Sequence, residues 1–241
     1  MNVYGTEQIR NVVLLGHGGA GKTTVAEALA FITGVTKRMG KVPDGNTISD
    51  YDKEEIKRQF SISTTLIPLE YEGENGPVKI NLLDTPGFFD FVGEAEEAIS
   101  VADAAIIVVN CKAGIEPGTE RAWEMCEKYN LPRMFFVTEM DLDHVSYRKV
   151  VEDLTELYGK KIAPIHMPIR ENEQFVGYVN IVKQAGRRYV ERGQKKECPV
   201  PDYLEEYLEK YHDILMESVA EISEEFMERY FAGEEFSVAE V

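Results

Sequence analysis

The run Ile9–Leu15 (IRNVVLL) is short, apolar and rich in β-branched residues, and Gly16 ends it, which predicts a buried strand. In KTTVAEALAFITG the apolar residues Val25, Ala28, Leu29 and Ile32 recur at helical spacing and Gly34 stops them. Residues 35–60 lose all period, which predicts a loop longer than a compact domain carries without a use for it. SISTTLIPLEYE and VKINLLD read as two strands around a turn region with Gly73, Asn75, Gly76 and Pro77. AAIIVVN (104–110) and RMFFVTEMD are two more buried strands. PGTERAWEMCEKY, opened by Pro117, and HVSYRKVVEDLTELYG, closed by Gly159, are helices.

Strands alternating with helices predict a mostly parallel sheet covered on both faces, an α/β three-layer fold. Near Pro164 the rhythm changes. APIHMPI and QFVGYVNIV are short strands, and RRYVERGQKKECPVP reads as a polar connector. DYLEEYLEKYHDILMESVAEISEEFMERYF then places Leu204, Tyr207, Leu208, Tyr211, Leu215, Ile222, Phe226 and Tyr230 on one stripe. That predicts one long amphipathic helix, straight or bent, with an acidic outer face. The expected division is a domain over 1–163 and a small α+β insert subdomain over 164–241.

With 241 residues, a sizeable core needs no metal or disulfide. The net charge of −17 concentrates at the C-terminal end, where only Lys210 and Arg229 oppose the acids from Glu197 on. Such a face does not invite DNA or another phosphate backbone; it suits solvent or a basic protein partner. Cys111, Cys126 and Cys198 show no pairing or metal spacing, which suits free thiols in a reducing cytoplasm. No run approaches the roughly 20 apolar residues of a membrane span.

The chemistry concentrates in Gly16-His17-Gly18-Gly19-Ala20-Gly21-Lys22-Thr23, which fits G-x-x-x-x-G-K-[ST] between a strand and a helix. Glycines let the backbone N–H groups turn inward on phosphate oxygens, and the helix N-terminus, opening through Thr24, adds positive potential. Lys22 reaches the terminal phosphates and Thr23 ligates Mg²⁺. Asp84-Thr85-Pro86-Gly87 follows the third strand; its carboxylate suits Mg²⁺ through water, and the Gly87 N–H suits a γ-phosphate. Thr138-Glu139-Met140-Asp141 ends another strand. An aspartate there accepts from guanine N1–H and N2–H₂, donors that adenine lacks. Asp141 or Asp143 is also suited to cap the helix that starts near His144, and the two roles are compatible.

These motifs together resemble translational GTPases, specifically elongation factor G: the G-H-x-x-x-G-K-T-T loop, D-T-P-G-x-x-D-F from Asp84 to Phe91, and x-x-M-D at 138–141. FVGYVNIV and ESVAEISEEFMERYFAGEE are similar to the insert inside that factor's GTPase domain, and VPDGNTISDYDKEE looks like its paralogous subgroup. The resemblance implies a Ras-like P-loop GTPase fold, GTP and GDP with Mg²⁺ as ligands, and the ribosome as partner. It also implies a stalk protein as a partner for the acidic insert, and a cytoplasmic site of action. It further implies a last strand with a Ser-Ala-x loop and then β-barrel and ferredoxin-like domains; none appears before Val241, so a fragment of a longer chain is expected.

Several positions depart from the family. Phe88 stands where a histidine orients the attacking water, and a phenyl ring neither holds a water nor takes its proton. Thr138 and Glu139 replace Asn and Lys of N-K-x-D, which implies weaker nucleotide affinity. Gly19 stands where aspartate is frequent. The switch I threonine that ligates Mg²⁺ is matched by Ser63, or by Thr64 if the register slips. The leading expectation is a GTP-hydrolysing switch carried by Lys22, Thr23, Ser63, Asp84 and Gly87. The alternative is a binding module with impaired hydrolysis, because of Phe88. An ATP-using enzyme is a third reading, though nothing in the chain reads adenine.

Overall fold

A computed structural model describes residues 3–73, 76–190, 194–238 and 240–241. The chain divides into two compact units, one ending at Thr138 and one beginning at Glu139.

The first unit is built on a five-stranded sheet. Its strands are β1 (Ile9–Leu15), β2 (Thr65–Gly73), β3 (Gly76–Asp84), β4 (Ala104–Asn110) and β5 (Arg133–Thr138), in the order β2-β3-β1-β4-β5. All neighbours are parallel except β2 and β3, which form an antiparallel hairpin with Thr65 opposite Asp84. Asn75 of the expected turn lies outside the described residues.

Successive strand residues point to opposite faces, and both faces are apolar. Leu14 of β1 and Leu82 of β3 pack against Val25, Ala26 and Ala30 of α1 (Lys22–Ile32). Their neighbours Val13, Leu15 and Leu83 turn the other way. They meet α3 (Val92–Ser100) and α4 (Pro117–Lys128) through Ala95, Ile99, Ala122 and Met125. The result is the expected three-layer α/β arrangement.

The long aperiodic segment is not bare loop. Its short helix α2 (Lys53–Arg58) opens with a capping box between Asp52 and Glu55. The buried Glu27 carboxylate of α1 accepts the N–H of Gly40 at 2.6 Å and that of Ile48. A carboxylate buried on α1 thus organises a segment that has no hydrophobic period of its own.

The second unit holds α5 (Tyr147–Tyr158), a four-stranded antiparallel sheet and two further helices. The sheet runs β6 (His166–Glu171), β7 (Gln174–Asn180), β8 (Ala185–Tyr189) and β9 (Lys195–Cys198) in sequence order. Met167, Ile169, Val179 and Ile181 pack against Leu204, Leu208, Tyr211 and Leu215 of α6 (Asp202–Ala220), and Val151 of α5 joins them.

Two expectations change here. The stretch read as a polar connector contributes β8 and β9; residues 191–193 within it lie outside the described residues. Its strands carry charge outward, with Arg187 on Glu197 at 3.5 Å and Arg188 on Glu171, so the charges mask the period of two. The single long helix is two. Ser223 accepts from the Phe226 N–H at 3.2 Å and starts α7 (Glu224–Phe231). Ile222, expected on the buried stripe, falls at the break and is 71% exposed.

Candidate functional site

The loop after β1 turns on glycine conformations that other residues resist. Gly16, Gly19 and Gly21 have φ of 138°, 85° and 94°, and a Cβ on Gly16 would run into the Val108 carbonyl. The loop delivers Lys22 and Thr23 to the first turn of α1, with Thr24 beside them at the surface. Lys22 is buried, and its ammonium donates to the carbonyls of Gly16 at 3.1 Å and His17 at 2.9 Å. Burial pushes its pKa down to about 8, against the pull of Asp84, Asp50 and Glu116.

Asp84 ends β3 with a carboxylate that is 1% exposed, and neither oxygen has a hydrogen-bond partner. Burial raises its pKa to about 6; the nearby hydroxyls of Ser49 and Thr23 and the Lys22 ammonium hold it from rising further, though neither hydroxyl reaches good hydrogen-bond geometry. A buried carboxylate without partners is costly and calls for a ligand. Thr85 ties the next residues to β1 by donating to the Leu14 carbonyl at 2.6 Å, and Pro86 is buried beside it. Gly87 then passes close to the loop: an added Cβ would meet the Lys22 ammonium, and the Gly18 nitrogen at 2.7 Å. Phe88, 42% exposed, lies over Gly18 and packs on Phe60 with ring centres 4.7 Å apart.

The hydroxyl beside Thr23 is not the expected one. Ser61 Oγ lies 3.2 Å from Thr23 Oγ1 and donates to Asp50 at 2.7 Å. Ser63 is exposed, its N–H on Glu55 at 3.2 Å, and the Thr64 N–H and hydroxyl are spent on Glu94. The difference follows from Glu55, which accepts from both Ile62 and Ser63 and so turns Ser61 inward. Asp50 is buried with one free oxygen, its pKa raised chiefly by burial. Among the described residues no three His, Cys or acidic groups converge as a metal cage. The hydroxyls of Thr23 and Ser61 with the carboxylates of Asp50 and Asp84 nevertheless make a hard oxygen set. That set suits a hard cation such as Mg²⁺ that keeps water among its ligands.

His17 and Thr138 act on the loop. The His17 ring accepts from the Gly118 N–H at 3.2 Å and lies 3.5 Å from Glu116, which seats the start of α4 on the loop. Thr138, at the end of β5, donates to the Ala20 carbonyl at 2.8 Å. Asp50, Ser61, Glu55 and Glu27 are invisible to motif reading; the one signal is a loop too long to be idle.

Glu139, Met140 and Asp141 open the second unit. Glu139 has φ of 54°, and Asp141 is exposed. Neither Asp141 nor Asp143 caps the following helix: Ser146 does, accepting from the Lys149 N–H at 3.3 Å.

Residues 7–239 match the family model of the elongation factor Tu GTP binding domain. The chain is 34% identical over 237 residues to elongation factor G of Thermotoga petrophila, covering 98% of this chain and 34% of that one. It is 33% identical to elongation factor G of Thermotoga maritima over the same length and share. A crystal structure of a protein from Thermus thermophilus is similar with a TM-score of 0.88 and 38% identity, over 97% of this chain and 34% of that one. The chain spans about a third of the length of these relatives.

Proposed function

The chain belongs to the elongation factor Tu GTP-binding domain family, and from that premise we propose that it is the GTP- and GDP-binding switch of an elongation factor G-like protein. We keep 1–163 as the GTPase domain and 164–241 as its insert. The observation that carries the reading is the orphaned Asp84 carboxylate beside Lys22 at the mouth of a glycine cradle.

In this reading the amides of 16–21, Lys22 and the Thr24 turn hold the phosphates. Thr23 and Ser61, the latter in place of Ser63, hold Mg²⁺ with Asp84 behind them. When bound, the metal neutralises charge on the phosphate oxygens. The Gly87 N–H faces the terminal phosphate, and the close approach of Gly87 to Lys22 supports that role. Asp141 selects guanine by accepting from its N1–H and N2–H₂; this rests on the 138–141 motif and on the finding that Asp141 caps no helix. The proposed site of action is the cytoplasm and the proposed partner the ribosome, with the acidic insert meeting a stalk protein. Among the described residues no helix is long and apolar enough to cross a membrane.

Phe88 favours a second reading, a module that binds GTP and hydrolyses it barely or not at all. Its ring packs on Phe60 and offers nothing to hold or deprotonate a water. Calorimetry with GTP, GDP and ATP in Mg²⁺ tests the nucleotide; tight ATP binding without competition from GTP would overturn it. Phosphate release by the full-length protein, with and without ribosomes, compared with Phe88→His, separates switch from module. A wild type as fast as the variant removes Phe88 from the argument.

A further inference from the structure

The carbonyls on either side of Asp141 are held by one side chain that no motif includes. Arg170 donates from Nη1 to the Met140 carbonyl at 2.6 Å and from Nη2 to the Leu142 carbonyl at 3.0 Å, and Nη2 also meets the Glu173 carbonyl. The planar guanidinium spans two acceptors at fixed spacing, which a lysine ammonium does not reproduce. The loop has little to hold itself: its one internal closing bond, Leu142 N–H to the Glu139 carbonyl, is 3.4 Å long, and Glu139 is in the left-handed region. Such a backbone persists only where its surroundings enforce it.

Arg170 is itself anchored. The β6–β7 ladder shifts register between Ile169 and Arg170 through one extra residue on β7, Val176, which increases the local twist beside Arg170. Tyr203, in the first turn of α6, holds the Arg170 backbone twice. Its hydroxyl accepts the Arg170 N–H at 3.1 Å and donates to the Arg170 carbonyl at 2.9 Å.

The geometry points to Arg170 as the positioning residue for purine selection. By clamping Met140 and Leu142 it fixes the direction of Asp141, and through Tyr203 it ties that loop to the first turn of α6. The insert sheet is therefore part of the base-selecting apparatus. The inference rests on the reading of Asp141 as the guanine contact.

The test measures the affinities of GDP, inosine diphosphate, which lacks the 2-amino group, and inorganic tripolyphosphate. It compares the wild-type chain with Asp141→Ala, Arg170→Ala, Arg170→Lys, Tyr203→Phe and the Asp141/Arg170 double variant. Arg170→Ala is expected to weaken GDP about tenfold, less than the full worth of its charge-assisted hydrogen bonds because the effect reaches the base only through Asp141, and to narrow the preference over inosine diphosphate. Tripolyphosphate affinity stays unchanged. Arg170→Lys rescues little, Tyr203→Phe shows a smaller loss of the same kind, and the double variant is no weaker than Asp141→Ala. Hydrogen exchange over 139–143 in nucleotide-free protein rises in Arg170→Ala, a readout independent of any ligand. An Asp141→Ala effect with unchanged base preference and exchange in Arg170→Ala overturns the positioning role alone. No effect of Asp141→Ala on base preference overturns the guanine contact, and the positioning role with it.

Discussion

The ring of Phe88 occupies the space that a side chain on Gly18 would need: a methyl group there would meet the ring at 3.1–3.3 Å. The same ring rests on Phe60, and Phe60 lies 6.3 Å from Phe91, so the two segments that flank the site share one aromatic cluster.

Gly18→Ala and Phe88→Ala should therefore not be additive. The added methyl disturbs the cluster only while the ring is present, and an aromatic pair of this kind is worth about 0.5–1.5 kcal/mol. Stopped-flow association of a fluorescent guanine nucleotide is expected to change in each single variant by about two- to tenfold. The double variant should match Phe88→Ala; strict additivity would show that the ring and the glycine are unrelated.

Asp84→Asn should stabilise the nucleotide-free protein at neutral pH. Its pKa rises on folding from 3.8 to about 6, so the native state holds its proton more tightly than the unfolded chain. The stability from that proton is present below 3.8 and is lost as pH rises through about 6. The loss amounts to about 3 kcal/mol. Urea midpoints of wild type should fall between pH 4 and 6 more steeply than those of Asp84→Asn. In the same window, Mg²⁺ affinity should rise with pH more steeply in the wild type than in Asp84→Asn.

Gly87→Ala should cost nucleotide affinity without unfolding the domain. The new Cβ meets the Lys22 ammonium and the backbone of Gly18, so either the lysine or the segment must withdraw. A loss of about tenfold or more in GDP affinity is expected from a displaced charged contact, with a lowered melting temperature but a cooperative melt that shows the domain still folded. Calorimetry and thermal melts read the two separately.

Glu27→Ala should release residues 40–48 while leaving the sheet intact. It removes the acceptor of two backbone N–H groups and leaves the buried one, on Gly40, unpaired at a cost of about 1–3 kcal/mol, and the half-buried one, on Ile48, at less. Trypsin should cut faster after Lys37, Arg38 and Lys41 in the variant, with unchanged far-ultraviolet circular dichroism beyond the segment itself.

Motifs and apolar runs are legible in the sequence because each follows from one local rule. The glycine loop needs its left-handed positions, and the apolar runs Val13 to Leu15 and Ile107 to Val109 can only be buried. What escapes depends on partners distant in sequence. Ser61 rather than Ser63 faces Thr23 because Glu55 turns the chain, and no spacing rule expresses that. The strands β8 and β9 are hidden because their outward charges obscure the alternation. The break before α7 is hidden because Ser223 fits a polar position in a helical stripe as well as it fits a start signal. Arg170 has no signature at all, since its partners are carbonyls, which every residue carries.

The hairpin of β2 and β3 sets a limit on how this domain can move. Ile67 and Leu69 are each 1% exposed while Leu66 is 56% exposed, so sliding the ribbon by one residue would turn its apolar side to water. The Thr65–Asp84 rung is the point from which both neighbouring segments depart. A one-residue slip at that rung is therefore disfavoured, because it would exchange the buried and exposed faces of the whole ribbon. Residues 50–64 and 85–91 thus leave a shared rung whose facing the apolar side of the ribbon enforces.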